Sequence, residues 1–228
     1  MTEHPDLDAP GLDAPAPVTS ALPTVWIMPS HQIPEAEVEN LARRIRRHLT
    51  QHTGPGPLVV GIDGRSGAGK SSLAARLCER LSTSLDAPSA PTPQHDDGAH
   101  PPAHTAAVTL FALEDLYPGW DGLAEGVEIL AGLLTRLRAG EDATWRAWDW
   151  QRSCPEETEQ TLSAQTEVLI VEGVGATVPG HPGSAPDVGV WLYLEAPVRR
   201  MRALRRDGEI YRGHWNRWAA QEERLFGL

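Results

Sequence analysis

Apolar and polar positions along the chain follow two patterns that alternate. Short, almost wholly apolar runs occur at LVVGID (58–63), AVTLFAL (107–113), EVLIVEG (167–173) and VGVWLYL (188–194). Runs of that length with no polar face predict strands buried on both sides. Helical spacing fills the intervals. Val38, Leu41, Ile45 and Leu49 recur at three- and four-residue steps between Pro34 and His52, with arginines elsewhere. GPGP at 54–57 ends that helix. Leu73, Leu77 and Leu81 mark a second helix through Leu85, and residues 123–139 a third. The basic segment at 197–207 and the stretch at about 213–226 predict further helix. VWIM at 25–28 is a candidate extra strand. Strands that alternate with helices predict an α/β fold in three layers, a parallel sheet covered on both faces. In such sheets ligands bind beyond the carboxyl ends of the strands.

Two segments break the pattern. Residues 1–23 are rich in Pro, Asp and Ala and predict a disordered tail, leaving 24–228 as the domain. Residues 86–105 predict a disordered insert within it. The insert carries His95, His100 and His104 beside Asp96 and Asp97. Without a packed scaffold to orient them, these read as a solvated loop rather than a metal site.

The formal net charge of -11 argues against nucleic acid or an anionic membrane as partner. The acidic N-terminus has no basic start and apolar run of a secretory signal. No apolar stretch approaches bilayer length. Two cysteines, Cys78 and Cys154, read as reduced thiols rather than a disulfide framework. Together these predict a cytoplasmic protein, with a homo-oligomer left open.

Candidate chemistry begins at the end of the first apolar run. Gly64-Arg65-Ser66-Gly67-Ala68-Gly69-Lys70-Ser71 satisfies G-x-x-x-x-G-K-[ST] between a predicted strand and a predicted helix. Glycines let successive N–H groups turn inward around phosphate oxygens, and the helix N-terminus favours an anion. The loop from Gly64 through Ser66, Gly67, Ala68, Gly69, Lys70 and Ser71 to Ser72 thus predicts a site for ATP. Lys70 reaches the outer phosphates, and the Ser71 hydroxyl is a Mg²⁺ ligand. Glu172 ends a later apolar strand and is a second candidate for Mg²⁺, directly or through water. The chain has no Asn-Lys-x-Asp stretch for guanine and no Ser-Gly-Gly-Gln transporter signature. The strand at 167–173 ends in Glu-Gly, not in the Asp-Glu pair of motor ATPases. A small-molecule kinase with the fold of the phosphate-loop nucleoside triphosphate hydrolases and kinases remains.

From these motifs the chain resembles the uridine kinase family, with phosphoribulokinase and pantothenate kinase as near relatives. The resemblance spans about residues 58–210 without the insert. It implies a catalytic base in the Glu114-Asp115-Leu116-Tyr117 stretch, where the family has an aspartate. Aligning on Tyr117 puts Glu114 there, and Asp115 is the rival. It also implies that Trp148-Asp149-Trp150 and Arg152 stand where the family's Tyr-Asp-Phe stretch lines a nucleoside pocket, although no histidine follows. Tyr117 and Trp120 add rings to the same pocket. Arg199, Arg202, Arg206 and Asp207 fit the family's basic lid helix. Arg202 and Arg206 lie one helical turn apart, suited to charge developing on a transferring phosphoryl group. The implied activity is ATP- and Mg²⁺-dependent phosphorylation of a hydroxyl on a small acceptor, foremost a nucleoside. Pantothenate or a sugar is the near alternative, and a regulatory ATPase that transfers nothing is the rival of a different class. His214-Trp215-Asn216-Arg217-Trp218 has no family counterpart and reads as helix packing.

Overall fold

The computed structural model describes residues 24–85, 107–178 and 184–227. The predicted tail, and the insert with its histidines, lie outside the described residues. In chain order the elements are β1 (Thr24–Pro29), α1 (Glu35–Leu49), β2 (Leu58–Asp63), α2 (Lys70–Leu85), β3 (Val108–Ala112), α3 (Leu123–Arg138), β4 (Ala143–Trp145), β5 (Trp148–Asp149), β6 (Cys154–Pro155), β7 (Gln160–Leu162), β8 (Val168–Glu172), β9 (Val188–Tyr193) and α4 (Ala196–Phe226). Short 3-10 turns follow β3, at Leu113–Leu116 and Gly119–Asp121.

β1, β9, β2, β8 and β3 form one sheet in that order, with every neighbouring pair parallel. The central strands β2 and β8 are buried along their whole length, because both faces of the sheet are covered there. Leu58, Val60 and Ile62 of β2 and Val168 and Ile170 of β8 pack with α1 and α2 on one face. Val59, Leu169, Val171 and Phe111 pack with α3 and the second half of α4 on the other. Burying one such side chain stabilises by about 1.5–3 kcal/mol, so the sheet is held chiefly by these two apolar layers. The VWIM run is the fifth strand, at one edge of the sheet beside β9.

Register brings the chemistry to one edge. Ile62 and Ala112 both lie opposite Glu172, so β2, β8 and β3 end level. Asp63, Glu172 and the 113–116 turn therefore share one rim. The segment that joins α3 to β8 was not predicted as strand. It forms two small antiparallel pairs, β4 with β7 and β5 with β6. The two predicted C-terminal helices are present as the two halves of α4, which meet at Gly208, where φ is 65° and ψ is -145°. No helix among the described residues is long and apolar enough to cross a membrane.

Candidate active site

The phosphate loop folds as it does because two of its glycines cannot carry a side chain. Gly64 has φ 138°, and a Cβ there would stand 2.5 Å from the Leu192 carbonyl oxygen. Gly67 has φ 81°, and a Cβ there would meet the Arg199 carbonyl oxygen at 2.2 Å. Both positions combine left-handed backbone with a close neighbouring chain.

Buried ionic groups brace the loop from behind. The Asp63 carboxylate, fully buried, accepts the N–H groups of Gly64 (2.6 Å), Gly175 (2.9 Å) and Thr177 (2.9 Å) and the Thr177 hydroxyl (2.7 Å). It thereby locks the start of the phosphate loop to the turn after β8. Glu222, 1% exposed, reaches from α4 to accept the Ser66 N–H at 2.7 Å. Arg199 donates to the Leu194 and Ser66 carbonyls at 2.9 and 3.2 Å and lies 3.9 Å from Glu222. A buried carboxylate that accepts several N–H groups is a strong positioning device, since each unmet donor costs about 1–3 kcal/mol.

In front of the loop, Lys70 begins α2 and is 8% exposed. Burial pushes its ammonium below the usual lysine range, against the pull of Glu172, Asp63 and Glu222. Among the described residues its Nζ donates a single long bond, 3.4 Å to the Arg65 carbonyl. Burial pushes the Glu172 carboxyl up, opposed by Lys70 and by the hydrogen bond from Ser71. A cation with spare donors beside a hydroxyl–carboxylate pair fits a nucleoside triphosphate with Mg²⁺, because phosphate oxygens and water complete such a shell. Among the described residues no cluster of three His, Cys, Asp or Glu side chains could hold a metal without phosphate.

These groups open on a cavity of about 850 Å³. Glu114 lines it from the turn after β3, and Arg202 and Arg206 line it from α4. Asp115 does not line it. Burial, followed by the charge of Glu114, pushes the Asp115 carboxyl up. Arg206 is held by its neighbour Asp207, through bonds of 2.7 and 2.8 Å that raise its pKa. Arg202 donates to the Ser30 and His31 carbonyls at 3.3 and 3.1 Å.

The far wall is aromatic. Trp120 stacks on His214 with ring centres 4.3 Å apart and planes 8° apart, and on Tyr211 at 5.4 Å. Trp150 and Trp218 meet Trp120 edge-on. Gln221 ties this wall together, donating to the Trp120 carbonyl at 2.7 Å and accepting the Leu123 N–H at 3.3 Å. An ion pair of Arg217 with Asp121 adds a second tie. Tyr117 is core as well as wall. It is 3% exposed, and its hydroxyl donates to the Val174 carbonyl at 2.9 Å.

The tryptophan segment divides. Trp150 faces the cavity, whereas Trp148, Asp149 and Arg152 do not line it. Asp149 Oδ1 accepts the N–H groups of Gln151 and Arg152, both at 2.9 Å, closing its own turn. The Arg152 guanidinium lies 3.9 Å from Glu157 in solvent. Trp148 packs beside Gly119, 3.6 Å from where a Cβ would stand.

No protein-family profile and no curated protein matches the chain. Solved structures do. A Bacillus stearothermophilus protein provisionally named a uridine kinase matches 82% of this chain and 92% of its own, at 18% identity and a TM-score of 0.49. A Silicibacter sp. TM1040 protein provisionally named a fructose transport system kinase matches 81% of this chain and 88% of its own, at 17% identity and a TM-score of 0.52. A D-glycerate 3-kinase from Cryptococcus neoformans var. grubii matches 61% of this chain and 52% of its own, at 16% identity and a TM-score of 0.41. The fold is that of the phosphate-loop kinases. At 17% identity and a TM-score of 0.52, the likeness to the Silicibacter protein is one of fold alone.

Within this fold, three groups escape a reading of the sequence. Asp63 was visible as a charge ending a buried strand, a position that calls for a partner. Tyr211, His214 and Trp218 sit at helical spacing, which shows a shared face but not what the face meets. Glu222 carries no local signal, since the loop that it holds lies 156 positions earlier.

Proposed function

We propose that this chain is an ATP- and Mg²⁺-dependent phosphotransferase acting on a hydroxyl of a small molecule, with a nucleoside-like compound as the acceptor. One observation carries the reading. Lys70, Glu172 and Glu114 converge on a single cavity whose opposite wall is built of aromatic rings. Lys70 and the loop N–H groups would hold the phosphates. Ser71 and Glu172 would hold Mg²⁺, which when bound neutralises charge on the transferring phosphoryl group. Glu114 would take the proton of the acceptor hydroxyl as its oxygen bonds to phosphorus and the bridging oxygen leaves with ADP. Arg202 and Arg206 would meet the charge that develops in transfer. Trp120 and Trp150 would flank a flat ring. Trp148, Asp149 and Arg152 would shape the loop that carries Trp150. The cytoplasm, where ATP and Mg²⁺ abound, suits such an enzyme, as do its free thiols Cys78 and Cys154.

The test is a phosphorylation screen of the purified protein with ATP and Mg²⁺ against nucleosides, sugars and pantothenate. Transfer to a nucleoside is the expected outcome. ATP hydrolysis with no acceptor phosphorylated would return the chain to the class of regulatory ATPases. A sugar or pantothenate kinase is favoured by one feature, the turning of Asp149 and Arg152 away from the cavity. Those are the polar groups with which a nucleoside would be read. Phosphorylation of a sugar or of pantothenate alone would establish that second reading.

A further inference from the structure

The cavity is also lined from the β1 edge of the sheet, the edge away from β3 and the aromatic turn that follows it. There residues 30–33, between β1 and α1, face Ser72, Leu73 and Arg76 at the start of α2. This short strap is pinned from three elements. The Ser30 N–H and hydroxyl donate to the Tyr193 carbonyl at the end of β9, at 3.0 and 3.2 Å. The Ile33 carbonyl accepts from Arg76 of α2 at 2.9 Å. The Ser30 and His31 carbonyls accept from Arg202 of α4. Its backbone is thus fixed while the His31 and Gln32 side chains stay exposed, with no hydrogen bond among the described residues. A tethered backbone that presents two free polar side chains to a cavity has the form of a recognition wall.

The polarity of the phosphate loop says which part of a ligand would reach it. Lys70, Glu172 and Glu114 mark the outer phosphate, and the acceptor lies beyond them. Ser72, further along α2, would mark the inner phosphates. The rest of the donor would leave past the first turn of α2, toward the strap. We propose that residues 30–33 form the subsite for the purine base of the triphosphate donor, an inference that rests on the phosphate-donor reading above. The Gln32 amide carries a donor and an acceptor side by side, the complement of adenine's N6 amino group and N7. His31 offers a flat ring, and Ile33 an apolar edge that packs on the sheet. Arg202 joins this end to the phosphates. One of its terminal nitrogens lies 4.0 Å from where a Cβ on Gly69 would stand, while the strap holds the same guanidinium. The edge strand β1 is in this way part of the donor site.

The experiment is calorimetric titration of the full chain in Mg²⁺ with ATP, GTP and inorganic tripolyphosphate, for the wild type, Gln32→Ala and His31→Ala. Expected are tighter binding of ATP than of GTP or tripolyphosphate by the wild type, and an ATP affinity about tenfold weaker in Gln32→Ala. That variant would lose the preference for ATP over GTP, His31→Ala would show a smaller loss of ATP affinity, and tripolyphosphate binding would be unaltered in both. Unchanged ATP affinity in both variants, with tripolyphosphate still bound, overturns the base subsite and leaves the phosphate-loop reading standing. A wild type that binds neither ATP nor tripolyphosphate overturns both.

Discussion

The phosphate loop and the tryptophan segment at 145–152 are equally short and equally conspicuous in the sequence, yet the fold uses them in opposite ways. Around the loop, polar groups from distant strands and helices point at one backbone. Asp63 reaches the turn after β8, and Glu222 and Arg199 reach Ser66. In the tryptophan segment the polar groups serve their own neighbourhood. Asp149 closes the turn two and three residues on, and Arg152 faces a glutamate in solvent. The indole N–H groups of Trp145 and Trp148 are buried with no partner among the described residues. A charge beside a ring is therefore no evidence of a binding pocket until the aim of the charge is known.

The largest expected effect tests the loop. Lys70→Ala removes the buried cation that faces the outer phosphates, and transfer is expected to be abolished. The charged lysine is held against a burial penalty, so its loss should leave the melting temperature without ligand nearly unchanged. The stabilisation that ATP confers in a thermal melt should fall with it. Full activity in this variant would break the comparison at its stronger end.

Next come the two acids at the end of β3. Glu114→Gln should lower turnover by about 10²–10⁴-fold, the usual contribution of a general base. Asp115→Asn should act on stability instead. Burial raises the Asp115 pKa in the folded state, so the native protein holds that proton more tightly than the unfolded chain does. The contribution of this proton to stability is present below the ordinary aspartate range and is lost as pH rises through the raised value. Asparagine removes the buried charge, so the variant should gain melting temperature at pH 7 relative to wild type, and the gain should vanish in acid. A rate loss in Asp115→Asn equal to that of Glu114→Gln would make Asp115 the base.

How much could be read beforehand follows from the same contrast. The central strands were legible because burial on both faces leaves their interior positions apolar, with carboxylates only at the ends, as in LVVGID and EVLIVEG. The phosphate loop was legible because its glycines, lysine and serine match one spacing within eight consecutive positions, between a strand and a helix. The aromatic wall was not. Trp120 and His214 are stacked neighbours 94 positions apart, and only the packing of α4 on the 119–121 turn brings them together. The break at Gly208 falls where the sequence leaves a gap between predicted helix at 197–207 and at about 213–226, but its left-handed backbone answers no close neighbour, since no atom lies within 4 Å of a Cβ there. The place of residues 30–33 beside the cavity depends on the pairing of β1 with β9, which no local pattern announces.

A third prediction measures the bracing itself. Asp63→Ala leaves the N–H groups of Gly64, Gly175 and Thr177 without their acceptor in the interior. At about 1–3 kcal/mol for each unmet donor, the loss of stability should exceed about 3 kcal/mol in a urea titration. A change below about 1 kcal/mol would mean that the amides find other partners, and that the loop is less firmly held than its hydrogen bonds imply.

The smallest effect separates the two roles open to Asp149. As a turn-closing group, it needs an oxygen at Oδ1 and no charge. Asp149→Asn keeps that oxygen and should leave both stability and acceptor KM near wild type. Asp149→Ala removes it and should cost about 1 kcal/mol of stability, the scale of a lost side-chain cap, again with acceptor KM unchanged. As a group that reads sugar hydroxyls or base N–H groups, it would instead need the carboxylate. Asparagine would then raise acceptor KM as alanine does, without loss of stability. Trp150→Ala is the control on the cavity side of the same turn. It removes a ring that meets Trp120 at 5.0 Å and lines the cavity, so acceptor KM should rise while ATP affinity holds. Stacking of a base on an aromatic ring is worth about 1–3 kcal/mol, enough for a rise of about five- to 150-fold. A KM that responds to Trp150 and not to Asp149 places the segment's contribution in one ring. A KM that responds to both would restore the charge to the pocket and would require the 149–152 turn to open when the acceptor binds.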